Sequence, residues 1–246
     1  MKISGIIPAR FASTRFPGKP LIDIAGKSMI QRVYEQAQKS KLLNQVVVAT
    51  DDQRIIDHVQ AFGGLVKMTS EKHLSGTDRC AEIAFQNPEF DVFINIQGDE
   101  PFIDPAQIDL LARCFSAPEV QLATLVKKIN NLEELNNPNT PKVVLNRNQD
   151  ALYFSRNPIP YLRDKQPEEW LDYQTYWKHI GIYGYRRQTL LEINQLPSSS
   201  LEQAEALEQL RWLENGFSIR VAITELESLA IDTPNDLQKA LQKLDA

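Results

Sequence analysis

Cysteine is scarce in this chain, with Cys80 and Cys114 the only two in 246 residues. Two thiols in helix-like stretches build neither a disulfide framework nor a zinc centre, each of which needs several suitably spaced ligands. They are expected as small buried hydrophobes in a chain that works in the reducing cytoplasm. No apolar run approaches the ~20 residues that cross a bilayer. The first residues also lack the basic, apolar and small-residue order of a secretory leader. Neither membrane insertion nor export is therefore expected. Positive charge is not in excess: the formal net charge of −5 argues against a broad nucleic-acid surface. The two common nucleotide signatures, GxxxxGK[ST] and GxGxxG, are absent. No internal repeat or low-complexity linker divides the chain, which is long enough for one large domain.

What is present is an alternation of short apolar runs and helical patterns. Ile3–Pro8, Gln45–Thr50, Leu65–Met68, Asp91–Gln97 and Gln121–Lys127 read as strands. The better runs are apolar on consecutive residues, as strands covered on both faces require. Between them Met29, Ile30, Val33, Tyr34 and Ala37, then Ile55, Ile56, Val59 and Phe62, recur at helical spacing. Strand followed by helix, repeated, predicts an α/β fold with a mostly parallel central sheet and flanking helices. Near Asn136 the pattern changes to a β-rich excursion: VVL and ALYF as hairpin arms around a turn at Asn146–Asp150, and later the strand KHIGIYGYR. The spacing predicts helices over Leu201–Asn215 and Asn235–Leu244, with a strand at Ser218–Thr224 between them. The expected division of labour within a single α/β unit is 1–130 mainly for nucleotide, 131–225 mainly for sugar binding and dimerisation, and 226–246 as a returning helix.

The opening loop, ARFASTRFPGK, gathers Arg10, Arg15 and Lys19 with no acidic residue. It follows the first strand, so it lies at the carboxyl edge of the sheet, where open α/β sheets bind ligands. Small residues such as Ser13 let backbone N–H groups approach an anion while the cations supply charge, a combination suited to a polyphosphate. Magnesium commonly accompanies polyphosphate and takes oxygen ligands. Asp99 in INIQGDEP directly follows a buried strand, and Gly98 permits a tight exit. In AIDTPNDL, Thr233, Pro234 and Asp236 suit the N-cap, first and third positions of the last helix. That leaves Asp232 at the strand–helix junction, available to a shared metal.

These residues carry a resemblance. PAR-x-x-S-T-R-x-P-x-K-P-L, SGTDR at Ser75–Arg79 and QGDEP at Gln97–Pro101 resemble the nucleotidyltransferases that load sugars onto nucleotides. With ALYFSR, HIGIYGY, LEQLR and DTP in that order, the chain from about residue 3 to 240 is similar to the 3-deoxy-manno-octulosonate cytidylyltransferase (CMP-Kdo synthetase) family. The resemblance implies transfer of CMP from CTP to Kdo with release of diphosphate, for lipopolysaccharide biosynthesis, by a homodimer using Mg2+. It implies that Arg10, Ser13, Arg15 and Lys19 grip the triphosphate, and that Ser75, Gly76, Arg79 and Gln97 help hold cytidine. Asp99 and Asp232 would take the metal. Arg15 and Lys19 would stabilise the departing diphosphate, making these four the catalytic set.

For an acidic sugar, alternation in KHIGIYGY puts His179, Gly181 and Tyr183 on one strand face, with Gly181 as a side-chain-free floor. Arg156, at the end of ALYF, suits a carboxylate because a guanidinium binds it bidentately. Projected as one helix, Leu201–Asn215 buries Ala204, Leu207, Leu210 and Leu213 and sets Glu205, Glu208, Gln209 and Trp212 opposite. Glu208 and Gln209 are, by the resemblance, ligands for sugar hydroxyls, and Trp212 marks a covered surface or a subunit contact. Two readings compete: a cytidylyltransferase for another acidic sugar, and a non-catalytic sugar-nucleotide binder, against which the pair Asp99 and Asp232 speaks.

Overall fold

In the computed structural model, residues 1–12, 16–227 and 229–244 are described. Ser13 and Arg15 lie outside the described residues. The strands are β1 Ile3–Ala9, β2 Asp23–Ile24, β3 Lys27–Ser28, β4 Gln45–Thr50, β5 Val66–Met68, β6 Val92–Asn95, β7 Leu122–Lys128, β8 Lys142–Leu145, β9 Ala151–Ser155, β10 Trp177–Arg186 and β11 Ile219–Ile223. The helices are α1 Met29–Ala37, α2 Gln53–Ala61, α3 Gly76–Gln86, α4 Pro105–Cys114, α5 Leu132–Asn136, α6 Trp170–Tyr173, α7 Arg187–Ile193, α8 Ser200–Glu205, α9 Gln209–Glu214 and α10 Pro234–Leu244.

The main sheet runs β11-β7-β10-β6-β1-β4-β5. β1 is parallel to β4 and β6, β4 to β5, and β11 to β7, while β10 inserts antiparallel between β6 and β7. The expected mostly parallel sheet is therefore interrupted at one strand. The hairpin of β8 and β9 joins it through β8, which pairs with the start of β10. Its turn forms as expected, with Asn146 Oδ1 accepting from the N–H groups of Asn148 and Asp150.

Consecutive apolar residues on the strands feed two opposite layers. Ile7, Val48 and Ile94 pack with Ile30, Val33, Ile55, Ile108 and Leu111 from α1, α2 and α4. Ile6, Val47 and Phe93 pack with Cys80, Ile83, Leu190 and Trp212 from α3, α7 and α9. Cys80 is fully buried and Cys114 partly so, both as free thiols.

One expected element breaks. The stretch read as a single helix over Leu201–Asn215 ends α8 at Glu205, turns at Ala206 with φ +50°, and restarts as α9. The cause is a competing set of partners. Arg156 donates from Nε to Glu205 O at 2.6 Å and from Nη2 to Ala206 O at 3.0 Å, taking carbonyls that a continuous helix would keep. The Glu205 carboxylate accepts from Ser155 Oγ at 2.7 Å and Arg156 N–H at 2.9 Å. The break rephases the second half. Ala204 is exposed, Leu213 is only partly buried, and Trp212 is 1% exposed, its indole edge-on to Tyr183 and Tyr185. Trp212 is thus a core residue of its own chain and not a subunit-contact marker.

Candidate functional site

β4 lies on one side of β1 and β6 on the other, so the connections leaving these strands diverge at the carboxyl end of β1, the switch point at which open sheets form a crevice. A cavity of about 220 Å³ opens there, lined by Pro8, Arg10, Lys19, Gly76, Gln97 and Asp99 among others. The first strand delivers Arg10, whose guanidinium reaches the carbonyl of Leu74. That carbonyl precedes Ser75, the N-cap of α3, whose Oγ accepts from Asp78 N–H at 3.1 Å in a reciprocal cap. Gly98 is required where the chain leaves β6: a Cβ there would stand 2.7 Å from Pro8 O. The close approach of two backbones sets the width of the cavity floor.

Lys19 begins a short 3₁₀ turn entered through Gly18 at φ +71°. Its Nζ lies 2.7 Å from Asp99 Oδ2 and 2.9 Å from Asp232 Oδ1. The two aspartates, 133 residues apart in sequence, therefore share one cation. What brings Asp232 in is local: Ile231 N–H donates to Asp99 O at 2.9 Å, and the Ile231 side chain is buried against Ile24 and Met29. Thr233 and Asp236 then cap α10 as its sequence predicts, Asp236 Oδ2 accepting from Thr233 N–H at 2.9 Å. A pair of carboxylates already facing a common cation is the hard-oxygen donor set that suits Mg2+.

A second cavity, about 250 Å³, lies across Gln97 and is lined by Glu100, Asn139, Lys178, His179, Gly181 and Glu227 among others. Gln97 Nε2 donates to Gly181 O at 2.7 Å, so one side chain ties the nucleotide-side loop to β10. β10 has an irregular register between Ile180 and Tyr183, and Thr124 Oγ1 donates to the buried carbonyls of Ile182 at 2.8 Å and Ile180 at 3.2 Å. His179 and Tyr183 stay on one face, ring centroids 5.1 Å apart, as the alternation predicts. No atom lies within 4 Å of a Cβ built on Gly181, so the floor it provides is open.

α9 sends Glu208 to the first turn of α3, where Thr77 Oγ1 donates to Glu208 Oε2 at 2.7 Å. Burial raises the Glu208 carboxyl, against the opposing Thr77 hydrogen bond. Around it the Tyr183 hydroxyl and Gln209 Nε2 are buried with no hydrogen-bond partner among the described residues. Buried polar atoms in that condition mark places that a ligand or water completes.

Two expected contacts are not brought together. Arg79 is fully buried and pairs with Asp51, with Thr69 Oγ1 at 2.7 Å, bracing the ends of β4 and β5 from beneath. Arg156 directs three donors at the carbonyls of Glu205, Ala206 and Pro138. Its reading as a direct carboxylate ligand gives way to that of a clamp on the α8–α9 junction. Sequence reasoning also passed over Thr77, Thr124 and Lys178, the last buried between Glu134 and Glu227. Single hydroxyls carry no pattern, but a lysine at an inward position of a buried strand was a legible signal.

The family described as "Cytidylyltransferase" matches residues 4–223. The 3-deoxy-manno-octulosonate cytidylyltransferase of Parabacteroides distasonis is 60% identical, the match covering 98% of this chain and 97% of that protein. The enzyme of the same name from Geobacter sulfurreducens is 50% identical over 99% of this chain and all of its own. A solved CMP:2-keto-3-deoxy-manno-octonic acid synthetase complexed with CTP is 46% identical, with a TM-score of 0.92 covering 100% of this chain and 99% of that one. With that coverage, and with the switch-point cavity and its carboxylate pair in place, the chain belongs to the cytidylyltransferase family, among the 3-deoxy-manno-octulosonate cytidylyltransferases.

Proposed function

We propose that this protein transfers the cytidylyl group of CTP to 3-deoxy-D-manno-octulosonate, giving CMP-Kdo and diphosphate for lipopolysaccharide assembly. The observation that carries the reading is the convergence of Lys19 and Asp99, which line the switch-point cavity, with Asp232, which Lys19 joins to them. The names of the relatives supply the substrate pair. In the reaction the anomeric hydroxyl oxygen bonds to the α-phosphorus, the bond from that phosphorus to the bridging oxygen breaks, and the hydroxyl proton passes to solvent. Such transfer depends on in-line positioning and charge neutralisation. Arg10, with Ser13, Arg15 and Lys19, holds the triphosphate, while Ser75, Gly76 and Gln97 border the nucleoside. His179, Tyr183, Glu208 and Gln209 hold the sugar. Asp99 and Asp232 would hold Mg2+, which when bound neutralises developing charge on the phosphates.

No helix among the described residues is long and apolar enough to cross a membrane, in keeping with a cytoplasmic setting. The assembly in this reading is a homodimer. Diphosphate release measured with CTP against ATP, GTP and UTP, and across Kdo, its 8-amino analogue and sialic acid, tests the proposal. Turnover confined to CTP with Kdo is expected. Preference for another acidic sugar reassigns the second cavity, and absence of turnover with any pair makes the chain a binder.

A further inference from the structure

Lys19 raises a problem of charge. Its ammonium bridges Asp99 and Asp232, at 2.7 and 2.9 Å, the two carboxylates that would hold a metal. Lys19 is only 13% exposed at its side chain, whereas Asp99 and Asp232 are 28% and 41% exposed. Of the three charged side chains, Lys19 is thus the least accessible to solvent. A divalent cation on the same oxygens would stand a few ångströms from that ammonium, and like charges at such separation in a partly desolvated site repel strongly.

Resting on the metal reading above, we propose that Lys19 is a resident counter-ion of the carboxylate pair and exchanges with the metal, so that one side chain couples metal entry to triphosphate entry. Without nucleotide, the ammonium holds Asp99 and Asp232 together and competes with a divalent ion. Lys19 also lines the cavity beside Arg10, so an arriving triphosphate offers it a second anionic partner within reach of its four-carbon stem. Moving to the phosphates frees the carboxylates for the metal. Linkage then requires that the metal favour the triphosphate contact of Lys19 and that the triphosphate favour the metal.

The probe is Mn2+ alone, with no nucleotide, followed by electron paramagnetic resonance on the full-length protein. Lys19→Met, which keeps the length of the stem and removes the charge, is expected to bind Mn2+ at least about tenfold more tightly than wild type. Adding Asp99→Asn to Lys19→Met should abolish that tight binding. Equal aspartate-dependent affinity in wild type and Lys19→Met overturns the exchange and leaves the metal site standing. Absence of aspartate-dependent Mn2+ binding in both overturns the metal reading with it. Wild-type protein supplies an independent readout: reductive methylation of Lys19, followed by peptide mass spectrometry, should quicken severalfold at saturating Mn2+. An unchanged labelling rate also overturns the exchange.

Discussion

His179 illustrates how a single side chain acquires its protonation state from its neighbours. Burial lowers its imidazole to about 3. Its Nε2 lies 2.9 Å from Thr124 Oγ1, and that hydroxyl has two backbone carbonyls to serve. The one hydroxyl hydrogen goes to a carbonyl, so Nε2 carries the imidazole hydrogen and Nδ1 remains an acceptor. The unfolded histidine titrates near 6.5. As pH falls from there toward 3, the unfolded chain takes up a proton that the folded chain refuses, and stability falls. His179→Gln should flatten that part of the acid limb in denaturant titrations between pH 6.5 and 4; a limb parallel to wild type would show that His179 is not desolvated. Glu208 acts in the opposite sense. Its carboxyl is raised, so the folded state holds a proton longer, and stability attached to it declines as pH rises from the ordinary carboxylate range. At the carboxylate pair, Asp99→Ala and Asp232→Ala should each lower turnover by ~10² or more at saturating magnesium with the fold retained. Near wild-type turnover removes the altered residue from the site.

Elements were legible in proportion to how far local pattern governs them. β1 and β4 announced themselves because both sheet faces are covered, and consecutive apolar residues such as Val46, Val47 and Val48 admit few other readings. The α10 cap was legible because Thr233, Pro234 and Asp236 are neighbours in sequence. The α8–α9 break was not, because its cause is 50 residues upstream: Arg156 takes carbonyls from Glu205 and Ala206. Local periodicity alone favoured a continuous helix, and that error misplaced Trp212. Arg156→Ala should therefore raise KM for the acidic sugar by roughly tenfold through Glu208 and Gln209, with thermal stability reduced and CTP affinity by calorimetry nearly kept. Arg156→Lys should not rescue, since an ammonium does not reproduce a planar fork serving three carbonyls. Rescue by lysine would point to simple charge. Ala206→Gly removes a Cβ from a left-handed position and should leave stability unchanged or raise it by up to about 1 kcal/mol.

At the scale of the molecule, the crevice depends on two glycines that do opposite things. Gly98 lets β6 exit against Pro8, and a methyl group there meets backbone at 2.7 Å. Gly181 meets nothing within 4 Å and faces the second cavity. Gly98→Ala should cost stability by about 1–3 kcal/mol and weaken CTP binding, because neither backbone can yield without shifting the central strands. Gly181→Ala should melt within a degree or two of wild type and weaken only the sugar. If Gly181→Ala instead weakened CTP, the Gln97 contact to its carbonyl would be the more important of its roles.

The Ile231 N–H bond to Asp99 O has a consequence in time. A ribosome delivers this chain from its first residue onward, so β1, the 3₁₀ turn with Lys19 and the β6 exit can be in place well before Asp232 leaves the exit tunnel. Until then Asp99 has no carboxylate partner, and the nascent protein has the crevice without the completed pair. Competence thus waits on the segment that carries Ile231 and Asp232, however early the crevice itself is laid down.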